Sequence, residues 1–522
     1  MLGTQEYAHP DVKKRRPRPI RNVVSNWAGS LVTMLIAFFL SPFVVHHLGT
    51  SAYGLWILIM SITSYLGLLD LGVRGSVTCY VAKFYTQGKH EEASHLVSSA
   101  LALFTLLGAT ALAVSVILGL IGLHLFRVPE SLRPNLQAVL ILAGASIAIT
   151  LVSNVYGAIV IGLQRFELSN AIEIGSGILK AFVVLLALRH GKGLVTLAII
   201  QLAFSLTTAL VFACTSWRIY PQLSVGYQWS DWANVRLIFS FASYLFLLNA
   251  SAYLILYTDS VVIGAFLPVA MITFFAIAGN LIASSRSLIS GISTIMTPLA
   301  SSLDAEGHQD KIKQIGLAGP RYATMLVLPI AVTFVLRGET FIGLWMGFGY
   351  AIPSGKVLQV LSLTLFFSAA NQVATSTMLG LYKHRPLVLV NIAEGLLNLA
   401  LSVGLVRVMG IIGVAWGTAI PSVATSLLFW PLYIRRVFAI RSSQYVYSTW
   451  GRPAIAAIPF ALVSLMIDKT WYAPTVWFFF LQVLVTLPVA IFSFWFGCFS
   501  RAERRSHLGQ IVSRTIRVEE TA

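Results

Sequence analysis

The sequence predicts an all-α integral membrane protein with about fourteen transmembrane helices, arranged as two pseudo-symmetric six-helix lobes followed by two C-terminal helices. Three observations predict this fold. The 522 residues are 57% hydrophobic and only 11% charged, whereas a soluble domain carries roughly 25% charged residues. Apolar stretches long enough to cross a bilayer recur along the whole chain, and two short landmarks recur at a nearly constant separation.

The apolar stretches define the order of the elements. A helix needs roughly 17–25 predominantly apolar residues to cross the hydrocarbon core of a membrane. The predicted spans are 23–46, 53–79, 95–126, 136–161, 168–189, 193–217, 235–258, 266–300, 317–336, 354–380, 386–408, 411–434, 451–467 and 473–498. The predicted organisation is a basic tail at 1–22, an N-terminal lobe at 23–218, a C-terminal lobe at 219–436, spans 13 and 14 at 437–498 and a basic tail at 499–522.

The positions of lysine and arginine predict the orientation. An even number of spans puts both termini on one side, and most basic residues outside the spans lie in the tails and in the loops of that side. Since basic residues concentrate in cytoplasmic loops, both termini are predicted to be cytoplasmic. The net charge of +17 therefore indicates contact with anionic membrane lipids. No nucleic-acid partner is predicted, because no folded domain accompanies the basic tails.

An internal repeat predicts the two lobes. Gly162-Leu163-Gln164-Arg165 opens span 5, and Gly380-Leu381-Tyr382-Lys383 opens span 11, 218 positions later. The motif Gly88-Lys89-His90 closes span 2, and Gly307-His308-Gln309 closes span 8, 219 positions later. Because each repeat contains an even number of spans, the two lobes share one orientation, and their pseudo-twofold axis runs along the membrane normal.

Several classes of enzyme and cofactor site are excluded by motifs that the sequence lacks. The cysteines Cys79, Cys214 and Cys498 are far apart, and no CxxC, HExxH or GxxxxGK[ST] motif occurs. No metal and no cofactor are therefore predicted. The loops between predicted spans are short and leave no room for a catalytic domain outside the membrane, so we predict that the protein is not an enzyme.

Five motifs then point to a family. In order, they are Leu48-Gly49 followed by Tyr53-Gly54; Leu68-Leu69-Asp70-Leu71-Gly72; Gly162-Leu163-Gln164-Arg165; Asp259 followed by Ile263-Gly264; and Pro298 through Asp304 to Gly307. By their order, spacing and fourteen-span setting, the chain resembles the bacterial polysaccharide-export flippases of the Wzx type, in the superfamily of the lipid II flippase and the MATE exporters. It departs from the family pattern at Ser260, where a basic residue is frequent, and at Thr273-Phe274-Phe275, which replaces a glycine-tyrosine step.

The resemblance implies both an architecture and a function. It implies a V-shaped pair of lobes, with spans 1, 2, 7 and 8 lining a central cavity. It also implies that the chain moves a polyprenyl-pyrophosphate-linked oligosaccharide across the bacterial inner membrane by alternating access, for cell-surface polysaccharide assembly. A polysaccharide polymerase or export machinery is the protein partner that this implies. A MATE-like exporter of organic cations and a membrane-embedded glycosyltransferase or ligase are the alternatives.

Arginines and their neighbours are the candidate substrate-binding residues. An arginine inside a span costs roughly 2.5–3.5 kcal/mol on insertion scales, so it faces water, a partner charge or a polar ligand. Arg286, among the serines of span 8, either pairs with an acid of another helix or binds the pyrophosphate in the cavity. Arg74 lies four residues after Asp70, so it either pairs with this acid on one helix face or contacts the substrate. Arg21 and Asn26 mark the cytoplasmic mouth of span 1, as an interfacial anchor or a site of headgroup capture.

Other charged residues are candidates for energy coupling or for charge pairs. Asp70 belongs to this group through Arg74. Glu394 lies in a stripe with two asparagines, which predicts either hydrogen bonds between helices or a protonatable site. Glu173 and Lys180 are two turns apart and are each predicted to contact a neighbouring helix. Asp259, at the outer end of span 7, is predicted to be a solvated cap or a latch between the lobes.

Overall fold

The computed structural model describes residues 19–70, 72–501 and 503–505, without the side chains of residues 19–31, 123–125, 227, 233, 237–245, 248 and 249. Within that part of the chain, 11 helical stretches are long and apolar enough to cross a membrane, and two shorter apolar helices are Val32–Leu48 and Ala250–Phe266. The stretch Arg385–Phe438 reverses direction at Gly410 and crosses twice. The all-α fold and the predicted number of about fourteen spans are confirmed.

The first lobe contains seven helices that make six crossings. Its helices are α1 (Pro19–Leu48), α2 (Thr50–Leu66), α3 (Val73–Thr86), α4 (His90–Leu125), α5 (Arg133–Gly162), α6 (Phe166–Arg189) and α7 (Leu194–Ile219). Helices α2 and α3 form one crossing that is broken by a 3₁₀ turn at Gly67–Asp70. Helix α5 holds the lobe together, because it packs against α3, α4 and α7, while α6 packs against α1 and α7.

The second lobe repeats this plan and is followed by the last two spans. It contains α8 (Trp232–Phe266), α9 (Ala270–Ala305), α10 (Gln309–Met346), α11 (Phe348–Gly380), α12 (Arg385–Ala424) and α13 (Trp430–Phe438). After it come α14 (Ser442–Val446), α15 (Arg452–Ala456), α16 (Ile458–Thr470) and α17 (Val476–Gly497). Helix α11 packs against α9, α10 and α12, so it holds the place in this lobe that α5 holds in the first.

Helix α12 is a hairpin of two crossings that turns at a glycine. Gly410 has φ 60° and ψ −139°, a conformation that L side chains rarely adopt. The two arms then lie close together, because a Cβ on Gly413 would be 2.3 Å from the backbone oxygen of Leu405, and one on Gly417 would be 2.3 Å from Ser402 Oγ. This turn separates predicted spans 11 and 12.

The repeated motifs adopt the same backbone conformation in both lobes. The third residue of each four-residue landmark is left-handed although it is not glycine, with φ 58° at Gln164 and φ 56° at Tyr382. The glycines that follow α3 and α9 match as well, with φ 69° at Gly88 and φ 73° at Gly307. The internal repeat read from the sequence is therefore a repeat of structure.

The lobes touch at the end of the bundle that lies away from the chain termini, which we call the distal end. Gly54 of α2 faces the start of α9 so closely that a Cβ there would lie 2.0 Å from the Val269 carbonyl oxygen. Beside it, Thr273 Oγ1 donates to the carbonyl of Thr50 at 2.6 Å, and the Thr50 and Tyr350 hydroxyls are 3.3 Å apart. We call this contact the distal seam; it closes the space between the lobes at that end.

Two buried arginines of α10 fasten the last two spans to the second lobe. Arg337 is 1% exposed, donates from Nε to Asp468 Oδ1 at 2.8 Å and also donates to Gln482. Nearer the termini, Arg321 is 5% exposed and donates to Glu503 Oε1 at 2.6 Å. Arg337 was predicted to lie in a loop after span 9; the helix does break at this residue, with φ −128° and ψ 15°, but Arg337 is buried and the helix resumes and ends at Met346.

Candidate functional site

A cavity of about 610 Å³ lies between the two lobes, with walls from α1, α6 and α9. The α9 wall contains Asn280, Ala283, Ser284 and Ser287, whose spacing of three and four residues puts them on one helix face. Glu173, two turns into α6, lies on the facing wall. The described lining therefore comes from spans 1, 5 and 8, whereas spans 1, 2, 7 and 8 were implied by the resemblance.

Arg286 extends from a different face of α9. Its Nη2 donates to Thr364 Oγ1 of α11 at 3.2 Å, and its Nε is buried without a hydrogen-bond partner among the described residues. The acid that interacts with it electrostatically is Glu394 of α12. Of its two predicted environments, the structure shows an acid of another helix nearby, and Arg286 is not among the described residues of the central wall. Its contact with substrate stays a prediction.

Arg74 and Asp70 do not share one helix face as the sequence predicts. The 3₁₀ turn Gly67–Asp70 and Gly72, with φ 74°, separate α2 from α3, which begins at the next residue. The Asp70 carboxylate accepts a hydrogen bond from the backbone N–H of Arg74 and so caps α3. The Arg74 guanidinium still interacts electrostatically with the Asp70 carboxylate, and its Nη2 lies 3.8 Å from Glu173 Oε1 of α6.

Arg74 lines two adjoining cavities, one of about 310 Å³ inside the first lobe and one of about 260 Å³ that Phe246 and Tyr253 of α8 also line. Both are lined by Arg74, Thr150 and Asn154, and we call them together the N-lobe chamber. Glu173 lines the larger of the two and also the central cavity. The chamber and the space between the lobes therefore meet at this carboxylate.

Glu173 and Lys180 each contact a neighbouring helix, as predicted. Glu173 meets Arg74 of α3, with side chains that are 54% and 36% exposed. Lys180 Nζ donates to Gln201 Oε1 of α7 at 3.2 Å and lines the N-lobe chamber. The exposed Arg74–Glu173 pair contributes little stability, since such pairs are worth roughly 0–1 kcal/mol, so both groups are available to a ligand.

Asp259 is buried inside the second lobe, and its prediction as a solvated cap or a latch between lobes is wrong. The residue is 5% exposed, and its Oδ2 accepts from Thr418 Oγ1 at 2.8 Å. Asn398 Nδ2 donates to the same hydroxyl at 3.0 Å, so both partners belong to α12 of the same lobe. Asp259 Oδ1 and Asn398 Oδ1 are buried without a hydrogen-bond partner among the described residues.

Glu394 lies one turn before Asn398 on α12. It forms side-chain hydrogen bonds with Ser422 and Thr425 and interacts electrostatically with Arg286. These contacts match the predicted hydrogen bonding between helices. They also put a half-buried acid within reach of the one arginine embedded in α9.

Two predicted site residues fall outside the described side chains. Arg21 and Asn26 belong to α1, close to the end of the bundle that holds the chain termini. Their predicted role in headgroup capture stays a prediction.

Sequence reasoning missed neutral polar residues that form a large part of the cavity walls. Asn280 lines the central cavity, and Asn154 and Gln201 line the N-lobe chamber. Their positions could have identified them, because each amide lies inside an apolar helix, where burying an amide without a hydrogen-bond partner costs free energy. Attention to the charged residues alone therefore found the edges of these cavities and not their walls.

Comparison with known proteins identifies relatives across most of the chain. A family model described as polysaccharide biosynthesis protein matches residues 48–351. The chain is 21% identical over 420 residues to the putative O-antigen transporter of Shigella flexneri, covering 80% of this chain and 98% of that protein. It is 22% identical over 418 residues to the probable flippase AglR of Haloferax volcanii, covering 78% of this chain and 80% of that protein.

Solved structures share the fold. Lipid II flippase MurJ in an inward closed conformation matches with a TM-score of 0.72 at 13% identity, covering 91% of this chain and 98% of that one. A MATE family multidrug transporter in an inward-facing conformation matches with a TM-score of 0.67 at 14% identity, covering 80% and 98%. An outward-facing MATE structure gives 0.58 at 17% identity, covering 81% and 97%.

Proposed function

Because the chain belongs to the polysaccharide biosynthesis protein family, we propose that it is a flippase that moves a polyprenyl-pyrophosphate-linked oligosaccharide across the bacterial inner membrane for cell-surface polysaccharide assembly. The observation that carries this proposal is a polar cavity between two six-helix lobes whose distal ends are held together around Gly54. With the termini cytoplasmic, this cavity faces the leaflet in which such a lipid is made.

The physical task is to carry a sugar and a pyrophosphate through hydrocarbon. Groups that lose water hydrogen bonds in an apolar medium cost several kcal/mol each, so an unassisted headgroup does not cross. The central cavity supplies amide and hydroxyl groups along α9 and a carboxylate on α6. No bond is made or broken, and the polyprenyl chain stays in lipid, so the protein acts as a transporter and not as an enzyme.

Fixed cations bind the anionic part of the headgroup. A guanidinium keeps its charge and donates paired hydrogen bonds to phosphate oxygens. Arg21 and Asn26 capture the headgroup at the cytoplasmic mouth of α1, while Arg74, beside Glu173, contacts the sugar part of the substrate. Arg286 acts from the second lobe, where a single 3.2 Å hydrogen bond to Thr364 leaves most of its donors for other partners.

The second lobe supplies the coupling. Asp259 is a buried carboxyl with one oxygen that lacks a partner beside an amide oxygen that also lacks one. A proton or a small cation between these oxygens would satisfy both. Glu394 lies one turn before Asn398 on α12 and interacts electrostatically with Arg286. Binding of a proton or cation between Asp259 and Asn398 is therefore transmitted through α12 to Arg286 on α9. The membrane potential, a proton gradient or a sodium gradient then drives the change of state.

The test is a flipping assay in liposomes. Lipid-linked oligosaccharide is distributed over both leaflets, and a glycan-cleaving enzyme outside removes the fraction that reaches the outer leaflet. We expect the purified protein to expose nearly all of the substrate, and Arg74→Ala to slow this strongly. Arg133→Ala is the matched control, because that side chain is 52% exposed beside Glu130 outside the cavities.

The same liposomes separate the alternatives. A MATE-like exporter would move organic cations and leave the lipid-linked glycan protected, which would refute the flippase. Transfer of sugar to a lipid or an acceptor by the purified protein would point to a glycosyltransferase. A polymerase or export machinery as partner is tested by co-purification from the native membrane.

A further inference from the structure

The N-lobe chamber has the chemistry of a sugar-binding site. Its walls come from α3, α5, α6 and α7, with α2 and α8 also lining the smaller cavity, and they are rich in hydroxyl and amide groups, with aromatic rings among them. These lining residues include Asn154, Ser176, Gln201, Thr208, Phe204 and Phe212. Sugars present hydroxyls around their rim and apolar C–H faces, so they need this combination of polar partners and aromatic rings.

The charges of the chamber favour an uncharged polyol over a phosphate. Arg74 Nη2 and Glu173 Oε1 are 3.8 Å apart, which is longer than a hydrogen bond, so each keeps hydrogen-bonding capacity for a third group. Two neighbouring hydroxyls of a sugar match such a pair, because one accepts from the guanidinium and the other donates to the carboxylate. A phosphate approaching from the central cavity meets the Glu173 carboxylate first and is repelled.

Deeper in the chamber, the groups remain suited to hydroxyls. Lys180 Nζ carries three donors and makes a hydrogen bond of 3.2 Å to Gln201 Oε1. The Ser176 and Thr208 hydroxyls are 2.8 Å apart and bridge α6 and α7. Each of these groups accepts or donates a further hydrogen bond without a change in backbone position.

The two lobes differ in the groups that line their polar cavities. In the second lobe, a cavity of about 410 Å³ between α9 and α11 is lined, among the described residues, by hydroxyls and Gln372, without a charged side chain or an aromatic ring. In the second lobe the polar side chains of α8 and α12 bond to each other, as in the contact of Asp259 with Thr418. In the first lobe the polar side chains of α5, α6 and α7 surround about 310 Å³ of space, within the range of small-molecule sites. This space opens to the central cavity at Glu173.

We propose that the N-lobe chamber is a glycan subsite, which takes uncharged sugar units of the headgroup through hydroxyl contacts while the pyrophosphate stays in the central cavity. This inference rests on the proposed function, because it assigns part of that substrate to a place in the first lobe. It makes the chamber, and not the arginines, the part of the protein that distinguishes one glycan from another.

The experiment measures binding of three probes to the full-length protein in lipid nanodiscs. The probes are the glycan released by mild acid from the cell's own lipid-linked pool, the same glycan on its polyprenyl pyrophosphate, and polyprenyl pyrophosphate without sugar. We expect Gln201→Met and Asn154→Leu each to weaken binding of the released glycan at least tenfold. Binding of the sugar-free lipid should be unchanged, because its phosphates never enter the chamber.

The matched control is Gln372→Met in the second lobe, where the same change removes a 3.2 Å hydrogen bond to Ser290 outside the chamber. It should leave all three affinities unchanged, and equal melting temperatures show that each variant is folded. Wild-type affinity of both chamber variants for the glycan, or equal loss for the glycan and the sugar-free lipid, overturns the inference. If the wild-type protein binds neither the glycan on polyprenyl pyrophosphate nor the sugar-free polyprenyl pyrophosphate, the proposed function is overturned instead.

Discussion

The distal seam gives the most direct test of how the lobes move. Gly54 of α2 has no room for a side chain, since an added Cβ would lie 2.0 Å from the carbonyl oxygen of Val269. Both partners in this contact are backbone, so no flexible side chain can turn aside. Gly54→Ala therefore forces α2 and α9 apart wherever the distal end is closed and leaves the open state unstrained.

The size of the effect follows from this distance. Ordinary contact begins at 3.4 Å, so the seam must widen by about 1.4 Å. Overpacking of this kind costs typically 1–3 kcal/mol, and each 1.4 kcal/mol is a factor of ten in an equilibrium. The ratio of distally closed to distally open protein should fall by about 5- to 140-fold, which makes the open state well populated.

Pulsed electron–electron double resonance, which gives the distribution of distances between two spin labels, measures this ratio. Spin labels on cysteines introduced at the exposed Lys192 and Lys356, one in each lobe at the distal end, report the separation there, with the three native cysteines replaced by serine. Gly279→Ala on α9 is the matched control, because nothing lies within 4 Å of its Cβ. Identical distance distributions for Gly54→Ala and the parent protein would refute the view that this contact holds the distal end closed.

Three further predictions concern the arginines. Arg286→Ala should abolish glycan export at normal protein abundance while Arg286→Lys retains some activity, as measured by surface glycan in cells; full export by the alanine variant would remove Arg286 from the site. Arg337→Met should destabilise the fold by about 3 kcal/mol, because it leaves buried partners on α16 and α17 unpaired; an unchanged thermal unfolding curve would contradict this. Burial raises the pKa of Glu503, but the hydrogen bonds from Arg321 and Ser500 together with the Arg321 charge outweigh this and hold it below its usual range. The Arg321–Glu503 contact is therefore complete at neutral pH and weakens as the pH falls through that lowered pKa. Burial also raises the pKa of the Cys498 thiol to about 11, so the thiol reacts slowly at pH 8. Glu503→Gln weakens the Arg321–Glu503 contact that keeps this thiol buried, and it should speed alkylation of Cys498 at pH 8 severalfold. An unchanged rate would show that the Arg321–Glu503 contact does not hold the segment after α17 in place.

The spans and the repeat were predictable from sequence because both depend on local pattern. Hydrophobic length gives the spans, and the left-handed residues Gln164 and Tyr382 belong to motifs that are visible as letters. The direction of a side chain around a helix axis depends on packing, which no local pattern contains. Arg286 was therefore correctly identified as embedded, while its contact with Thr364 was visible only in the structure.

Breaks within spans were the second limit. The glycines that flank Asp70 were a signal for the interruption between α2 and α3, because Gly72 adopts a φ of 74° that other residues avoid. The helix rule of four-residue spacing was applied across that break and gave the wrong geometry for Arg74. The same rule held for Glu173 and Lys180, whose helix α6 is continuous.

The strengths of the contacts within and between lobes determine which parts move together. Arg337 joins α10 to the last two spans through buried, charge-assisted hydrogen bonds, which are worth about 1.5–3 kcal/mol each. Between the lobes, the Phe38 ring of α1 stacks on Trp345 of α10 at 5.0 Å, and the indole donates to the Phe38 carbonyl at 3.0 Å. Such neutral contacts are worth only about 0.5–1.5 kcal/mol each. We therefore expect the weaker set to break first when the distal end opens, so that spans 13 and 14 move with the second lobe and α1 slides past them.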